Sequence, residues 1–148
     1  MTTFDYHPTY APVIVAELRG TEHPDQYVMV GAHLDSRMTN SADPTARAPG
    51  ADDNGSGTSA IMELARVFTS MNYTYAFSVQ FLLFSGEEQV RRRTAQAWTA
   101  VTVRLTQWSA LWARYNVCAR QGLLGSEAYA EWLVDNNVDV VAMFNGAL

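Results

Sequence analysis

Three short acidic pieces hold the residues able to do chemistry: Gly31-Ala32-His33-Leu34-Asp35-Ser36, Gly50-Ala51-Asp52-Asp53-Asn54-Gly55-Ser56-Gly57 and Phe84-Ser85-Gly86-Glu87-Glu88. Carboxylates gathered in one place repel one another and lose hydration unless cations sit among them. One imidazole among several carboxylates is therefore a donor set for a metal ion. His33 offers a neutral ring nitrogen. Asp35, two residues on and on the same side if the strand persists, can hold the other ring nitrogen and so orient the ligand. Asp52 and Asp53 stand in a glycine-flanked turn, which places a carboxylate where two metals can share it, and glycine permits close backbone approach. Strand alternation at Glu87 and Glu88 sends one side chain each way, so one can ligate while the other carries a proton. A base beside a metal-activated water suits hydrolysis.

Taken singly, each piece has a plain structural explanation. His-x-Asp is common by chance, Asp-Asp-Asn-Gly makes a good turn, and Gly-Glu-Glu can end a solvated strand. Their joint occurrence at the ends of particular elements is what argues for a site. Val13 to Leu18 and Tyr27 to Ala32 read as strands, the second apolar enough to be buried on both faces. After a long polar loop from His33 to Gly55, Ser56 or Thr58 can cap a helix whose Ala60, Ile61, Leu64, Ala65 and Phe68 form a buried stripe. Phe77 to Phe84 is a strong central strand. Ser126 can cap a second helix with Tyr129, Trp132 and Leu133 on one side, and Val138 to Phe144 returns as a strand. This alternation predicts an α/β fold with helices covering a mostly parallel sheet, whose ligands bind beyond the carboxyl ends of the strands.

The chain has 148 residues, 48% of them apolar, enough for one globular domain with a core. It has no apolar run of about 18 residues that could span a membrane, and Met1 to Tyr10 lacks the apolar centre of a secretory signal. Cys118 stands alone, which excludes an internal disulfide and leaves the compartment open. Charge is uneven. All basic residues are arginines, and Arg91, Arg92, Arg93, Arg104, Arg114 and Arg120 fall between Val90 and Gln121, a segment without Asp, Glu, Gly or Pro that holds Trp98, Trp108 and Trp112. That segment looks foreign to its acidic surroundings.

The runs Val28 to Ser36, Ala48 to Ala60, Phe81 to Gln89 and Gly122 to Leu133 closely resemble the co-catalytic zinc aminopeptidases of metallopeptidase family 28. The resemblance covers about Val13 to Asn145 apart from the foreign segment. It implies a three-layer α-β-α sandwich around a mixed, mostly parallel sheet, and removal of N-terminal residues from peptide substrates by two zinc ions. It further implies that His33 binds one zinc, Asp52 bridges both and Glu88 binds the second. Glu87 would be the general base, Asp35 the support of His33, and Asp53 would follow the bridging residue across a cis peptide. Intact relatives are expected to be secreted.

Two departures from the family pattern stand out. Removing Val90 to Gln121 restores the family's spacing between Glu88 and Gly122-Leu123-Leu124-Gly125-Ser126. Valine codons begin with GT and one glutamine codon is CAG, the boundaries of a retained intron. The other departure is Phe144-Asn145-Gly146-Ala147-Leu148, where Ala147 stands near the position of a zinc-binding aspartate in relatives. Each zinc then keeps only two of the implied ligands, His33 and Asp52 for one and Asp52 and Glu88 for the other, so this chain is expected to hold metal weakly and to lack useful peptidase activity alone, because catalytic zinc keeps about three protein ligands.

A different class of function rests on the foreign segment. Trp98, Val101, Leu105, Trp108, Trp112 and Tyr115 have helical spacing and would make an aromatic stripe on a basic helix, a non-catalytic membrane-surface or partner-binding module. Val101, Val103 and Leu105 alternate equally well as a strand, so the local signals conflict. A carboxypeptidase or cyclase relative is a third reading, since one scaffold supports several reactions. With no lysine and an acidic body, nucleic acid is not an expected partner.

Overall fold

The computed structural model describes residues 1–38, 45–88 and 123–146. The Val90–Gln121 segment with its tryptophan and arginine pattern, Gly122 and Ala147 lie outside the described residues. The strands are β1 (Thr2–Phe4), β2 (Val13–Leu18), β3 (His23–His33), β4 (Phe77–Phe84) and β5 (Asp139–Asn145), in the sheet order β1-β2-β4-β3-β5. β3 runs parallel to both β4 and β5, while β2 is antiparallel to β1 and to β4. The sheet is therefore mixed, with its parallel part at the β5 side. Two α-helices, α1 (Gly57–Ser70) and α2 (Leu124–Asp135), and an irregular helical turn over Ala51–Ser56 complete the described elements.

Alternation along the central strands explains the layers. In β4, Val79 and Phe81 face one way with Ala32 of β3, and Ile61 of α1 packs on them, flanked by Ala65 and Phe68. Leu82 and Phe84 face the other way with Val13, Val15 and Met29, under Tyr129 and Leu133 of α2. A helix thus covers each face of the sheet, the α/β sandwich that the apolar pattern predicts. Gln80 is the polar member of the α2 side. It is buried, yet its Oε1 accepts from the Tyr129 hydroxyl at 2.9 Å and its Nε2 donates to Glu17 at 3.0 Å, so no polar group there is left dry.

The differences from the sequence expectations are local. β3 starts at His23 rather than Tyr27, with a register irregularity between those residues. Neither Ser56 nor Thr58 caps α1. The Asn54 carboxamide oxygen accepts the Gly57 amide at 3.0 Å, while the Ser56 hydroxyl turns back to the Asp52 carbonyl and Thr58 reaches the His33 carbonyl at 2.8 Å. α2 begins at Leu124, two residues before the expected cap Ser126. β1 was hidden by its polar sequence, and Phe4 anchors it by packing edge-on against Tyr129, 5.2 Å between ring centres. Most consequential is the rim: Gly31 pairs with Asn145 and His33 with Phe84, so the parallel strands end together.

Candidate metal centre

His33 is the last residue of β3, 5% exposed, and held from both sides of its ring. Nδ1 lies 3.0 Å from the Asp35 carbonyl oxygen, and a carbonyl can only accept, so Nδ1 carries the proton. Nε2 then carries the lone pair and lies 3.0 Å from the Asp53 carboxylate. The backbone bond from Leu34 to the Phe84 carbonyl at 2.8 Å carries the parallel ladder one step past His33 and fixes where the ring emerges.

The Asp52–Asp53 loop reaches this ring by an irregular turn. Gly50 opens it with φ 56, a left-handed conformation natural to glycine, and its carbonyl accepts the Gly55 amide at 2.8 Å. Between them Asp53 and Asn54 leave helical geometry, and the Asp53–Asn54 peptide is cis. That is one bond further along than the resemblance implies. The same shift applies to the carboxylate: Asp53 meets His33, whereas Asp52 is exposed and its carbonyl serves the Ser56 hydroxyl. The sequence offered two adjacent aspartates in one turn, and nothing in their spacing says which one points to the rim. Asn54 is 1% exposed, with its Oδ1 on the Gly57 amide and its Nδ2 unpartnered.

Glu87 and Glu88 lie past the end of β4, in a turn rather than in the strand whose alternation was expected to separate them. Gly86, with φ 73, makes the turn possible; a Cβ there would meet the Tyr6 hydroxyl oxygen at 2.8 Å and the Leu124 Cβ at 3.2 Å. The result is that both amides point to one acceptor. Glu87 N–H donates to Asp35 Oδ1 at 3.1 Å and Glu88 N–H to Oδ2 at 3.0 Å. Asp35 therefore supports His33 through its carbonyl, while its carboxylate, 3.7 Å from Nδ1, is committed to the glutamate turn. Burial raises the pKa of the Glu87 carboxyl; His33 opposes this and the neighbouring carboxylates Glu88, Asp35 and Asp53 add to it. A raised pKa makes the ionised carboxylate a stronger base.

Tyr6 was not anticipated. Its hydroxyl lies 3.0 Å from Ser85 Oγ and donates to the Ser85 carbonyl at 3.2 Å, buttressing the turn just before the glutamates. Ser85 in turn donates to the Ala11 carbonyl. An aromatic residue in a short polar segment carries no spacing signal that would have pointed to this contact.

The donor types suit zinc: an imidazole with its free nitrogen set by the tautomer, beside a carboxylate. Among the described residues, however, no three His, Cys, Asp or Glu side chains converge closely enough to hold a metal ion. What the fold brings together is His33 Nε2 and the Asp53 carboxylate, 3.0 Å apart, with the Glu87 and Glu88 amides held on the Asp35 carboxylate.

A sandwich with its histidine and carboxylates at the carboxyl ends of the parallel strands has the layout of an α/β hydrolytic enzyme. The model of peptidase family M28 matches residues 13–146, and the chain belongs to that family. A probable zinc metalloprotease of Pyrenophora tritici-repentis is 44% identical over 82 residues, which cover 55% of this chain and 18% of that protein. One from Leptosphaeria maculans is 54% identical over 77 residues, covering 51% of this chain and 17% of the relative. Another, from Phaeosphaeria nodorum, is 31% identical over 144 residues, covering 89% of this chain and 22% of the relative. The chain thus spans about a fifth of the length of these curated relatives. No helix among the described residues is long and apolar enough to cross a membrane.

Proposed function

We propose that this chain is part of a zinc-dependent exopeptidase that removes N-terminal residues from peptides, with His33 and Asp53 as metal-binding side chains. The observation that carries this reading is the 3.0 Å approach of Asp53 to His33 Nε2 while Nδ1 is held by the Asp35 carbonyl. Asp53 takes the role that the resemblance gave to Asp52, and Glu88 is the candidate ligand for a second zinc. When bound, zinc supplies Lewis-acid polarisation of a peptide carbonyl and lowers the pKa of a water molecule. Glu87 accepts the proton of the attacking water, and its burial beside other carboxylates favours that task. Asp35 keeps His33 in the tautomer that exposes Nε2. β3 and β4 end side by side at His33 and Phe84, and the turn that follows β4 brings Glu87 to the same rim, where its amide bonds Asp35.

Val90–Gln121 is read here as an insertion within the peptidase domain, supported by the return of the chain at Leu123 to the Glu87 carbonyl. With two converging donors described, the chain on its own is expected to hold zinc weakly.

The test uses a longer chain that lacks Val90–Gln121 and continues past Leu148 with the sequence of the Phaeosphaeria nodorum relative. Hydrolysis of a free aminoacyl anilide, loss of hydrolysis on N-acetylation of the substrate or chelation of zinc, and a drop of roughly 100-fold or more in Glu87→Gln are expected. Equal turnover of the free and acetylated substrates would contradict the aminopeptidase reading, and activity indifferent to Glu87→Gln would contradict the role of the base.

A further inference from the structure

Asp35 sits where two separate pieces of chain meet, the end of β3 and the turn after β4. It follows β3 by two residues, its carbonyl holds the His33 ring, and its two carboxylate oxygens are each taken by one of two consecutive amides from the end of β4. Successive N–H groups that converge on one anion form a small nest of partial positive charge. Here the anion is supplied by the protein itself. Bonds from amides to an ionised carboxylate are about twice as strong as those between neutral groups, and the half-buried position of Asp35 protects them from water.

The alternative role, the carboxylate as partner of the imidazole, fits the geometry less well. Asp35 Oδ1 stands 3.7 Å from His33 Nδ1, beyond hydrogen-bond length, whereas the carbonyl of the same residue stands at 3.0 Å. Removing the carboxylate would leave the ring's own acceptor in place. It would free both glutamate amides.

We propose that the Asp35 carboxylate is a positioning group for Glu87 and Glu88, clamping their turn against the β3 end so that one residue places both the histidine and the glutamates. Its relevance to catalysis rests on the hydrolytic reading above, but the clamp can be tested without it. Main-chain placement of the two glutamates then depends on a side chain 52 and 53 residues away as well as on Gly86 of the turn itself.

The experiment uses the full 148-residue chain, labelled with 15N and 13C. In the unaltered protein, scalar couplings across the hydrogen bonds are expected between the Glu87 and Glu88 amide nitrogens and the Asp35 carboxylate carbon. Asp35→Asn puts an amide NH2 opposite one of the two N–H donors. It is expected to raise the exchange rate of at least one glutamate amide about tenfold, to leave the Val79–Leu83 amides protected and to leave the His33 ring carbon shifts in the same tautomer. Zinc titrated into the same samples is expected to bind Asp35→Asn about tenfold or more weakly, as outer partners of metal ligands typically show. Absent couplings in the unaltered chain overturn the clamp whatever the variant does. So does an Asp35→Asn variant in which the His33 tautomer changes and the glutamate amides do not. Couplings present with no zinc binding at all would leave the clamp standing and sink the metal reading instead.

Discussion

The Leu123 amide donates to the Glu87 carbonyl at 3.1 Å, so two residues separated by the whole Val90–Gln121 segment are bonded neighbours. Leu124 and Gly125 continue the contact to the carbonyls of Gly86 and Ser85, at 3.1 and 3.0 Å. Three consecutive bonds zip the start of α2 onto the glutamate turn. A chain that leaves and re-enters at one point can lose what lies between with little effect on the rest, because loop-closure entropy changes slowly with length. Deletion of Val90–Gln121 is therefore expected to preserve the β-sheet and α2 amide resonances outside the junction and to keep the unfolding midpoint within a few degrees. Collapse of the Tyr129 and Leu133 core signals in the deletion variant would show that the segment is needed for folding.

Gly86 holds the turn at φ 73, where a side chain would strain the backbone and press on the Tyr6 hydroxyl and Leu124. Gly86→Ala is expected to cost about 1–3 kcal/mol in denaturant unfolding, and to disturb the Glu87 and Glu88 amides more than those of β3. A neutral effect on stability would mean that the turn adopts another conformation.

Tyr129 provides a pH dependence free of the metal question. Burial lifts its phenol from 10.0 to about 12, with Glu17 and Tyr27 adding and the Gln80 hydrogen bond opposing. The folded state thus holds its proton more tightly than the unfolded one. The stabilisation linked to this proton is complete below pH 10 and disappears between pH 10 and 12, on the order of 2–3 kcal/mol in all. Denaturant unfolding followed across that range should show the loss, and Tyr129→Phe should flatten it. A wild-type profile as flat as that of the variant would contradict the burial argument.

The sequence made the strands β2 and β4 legible to the residue, since both are apolar runs with clear boundaries, and it made the rim legible because two of the acidic pieces follow apolar runs and the third opens α1. α1 was legible as a helix through Ile61, Ala65 and Phe68. What stayed hidden depends on contacts distant in sequence. Asn54 caps α1 because the loop turns its carboxamide inward, which no local cap pattern reveals. β1 exists because Phe4 finds Tyr129, 125 positions later. Asp52 and Asp53 are chemically identical, and only the path of the turn selects Asp53. The glutamate pair looked like a strand end, yet Gly86 ends the alternation and lets Asp35 collect both amides.

Zinc titration of the 148-residue chain and two single variants decides which carboxylate belongs to the centre. Measurable binding by the unaltered chain is expected, with affinity lowered at least about tenfold in Asp53→Asn, the size that loss of even an outer partner produces, and changed within about twofold in Asp52→Asn. Loss of binding in Asp52→Asn with Asp53→Asn unaffected would return the ligand role to Asp52 and contradict the His33–Asp53 half-site.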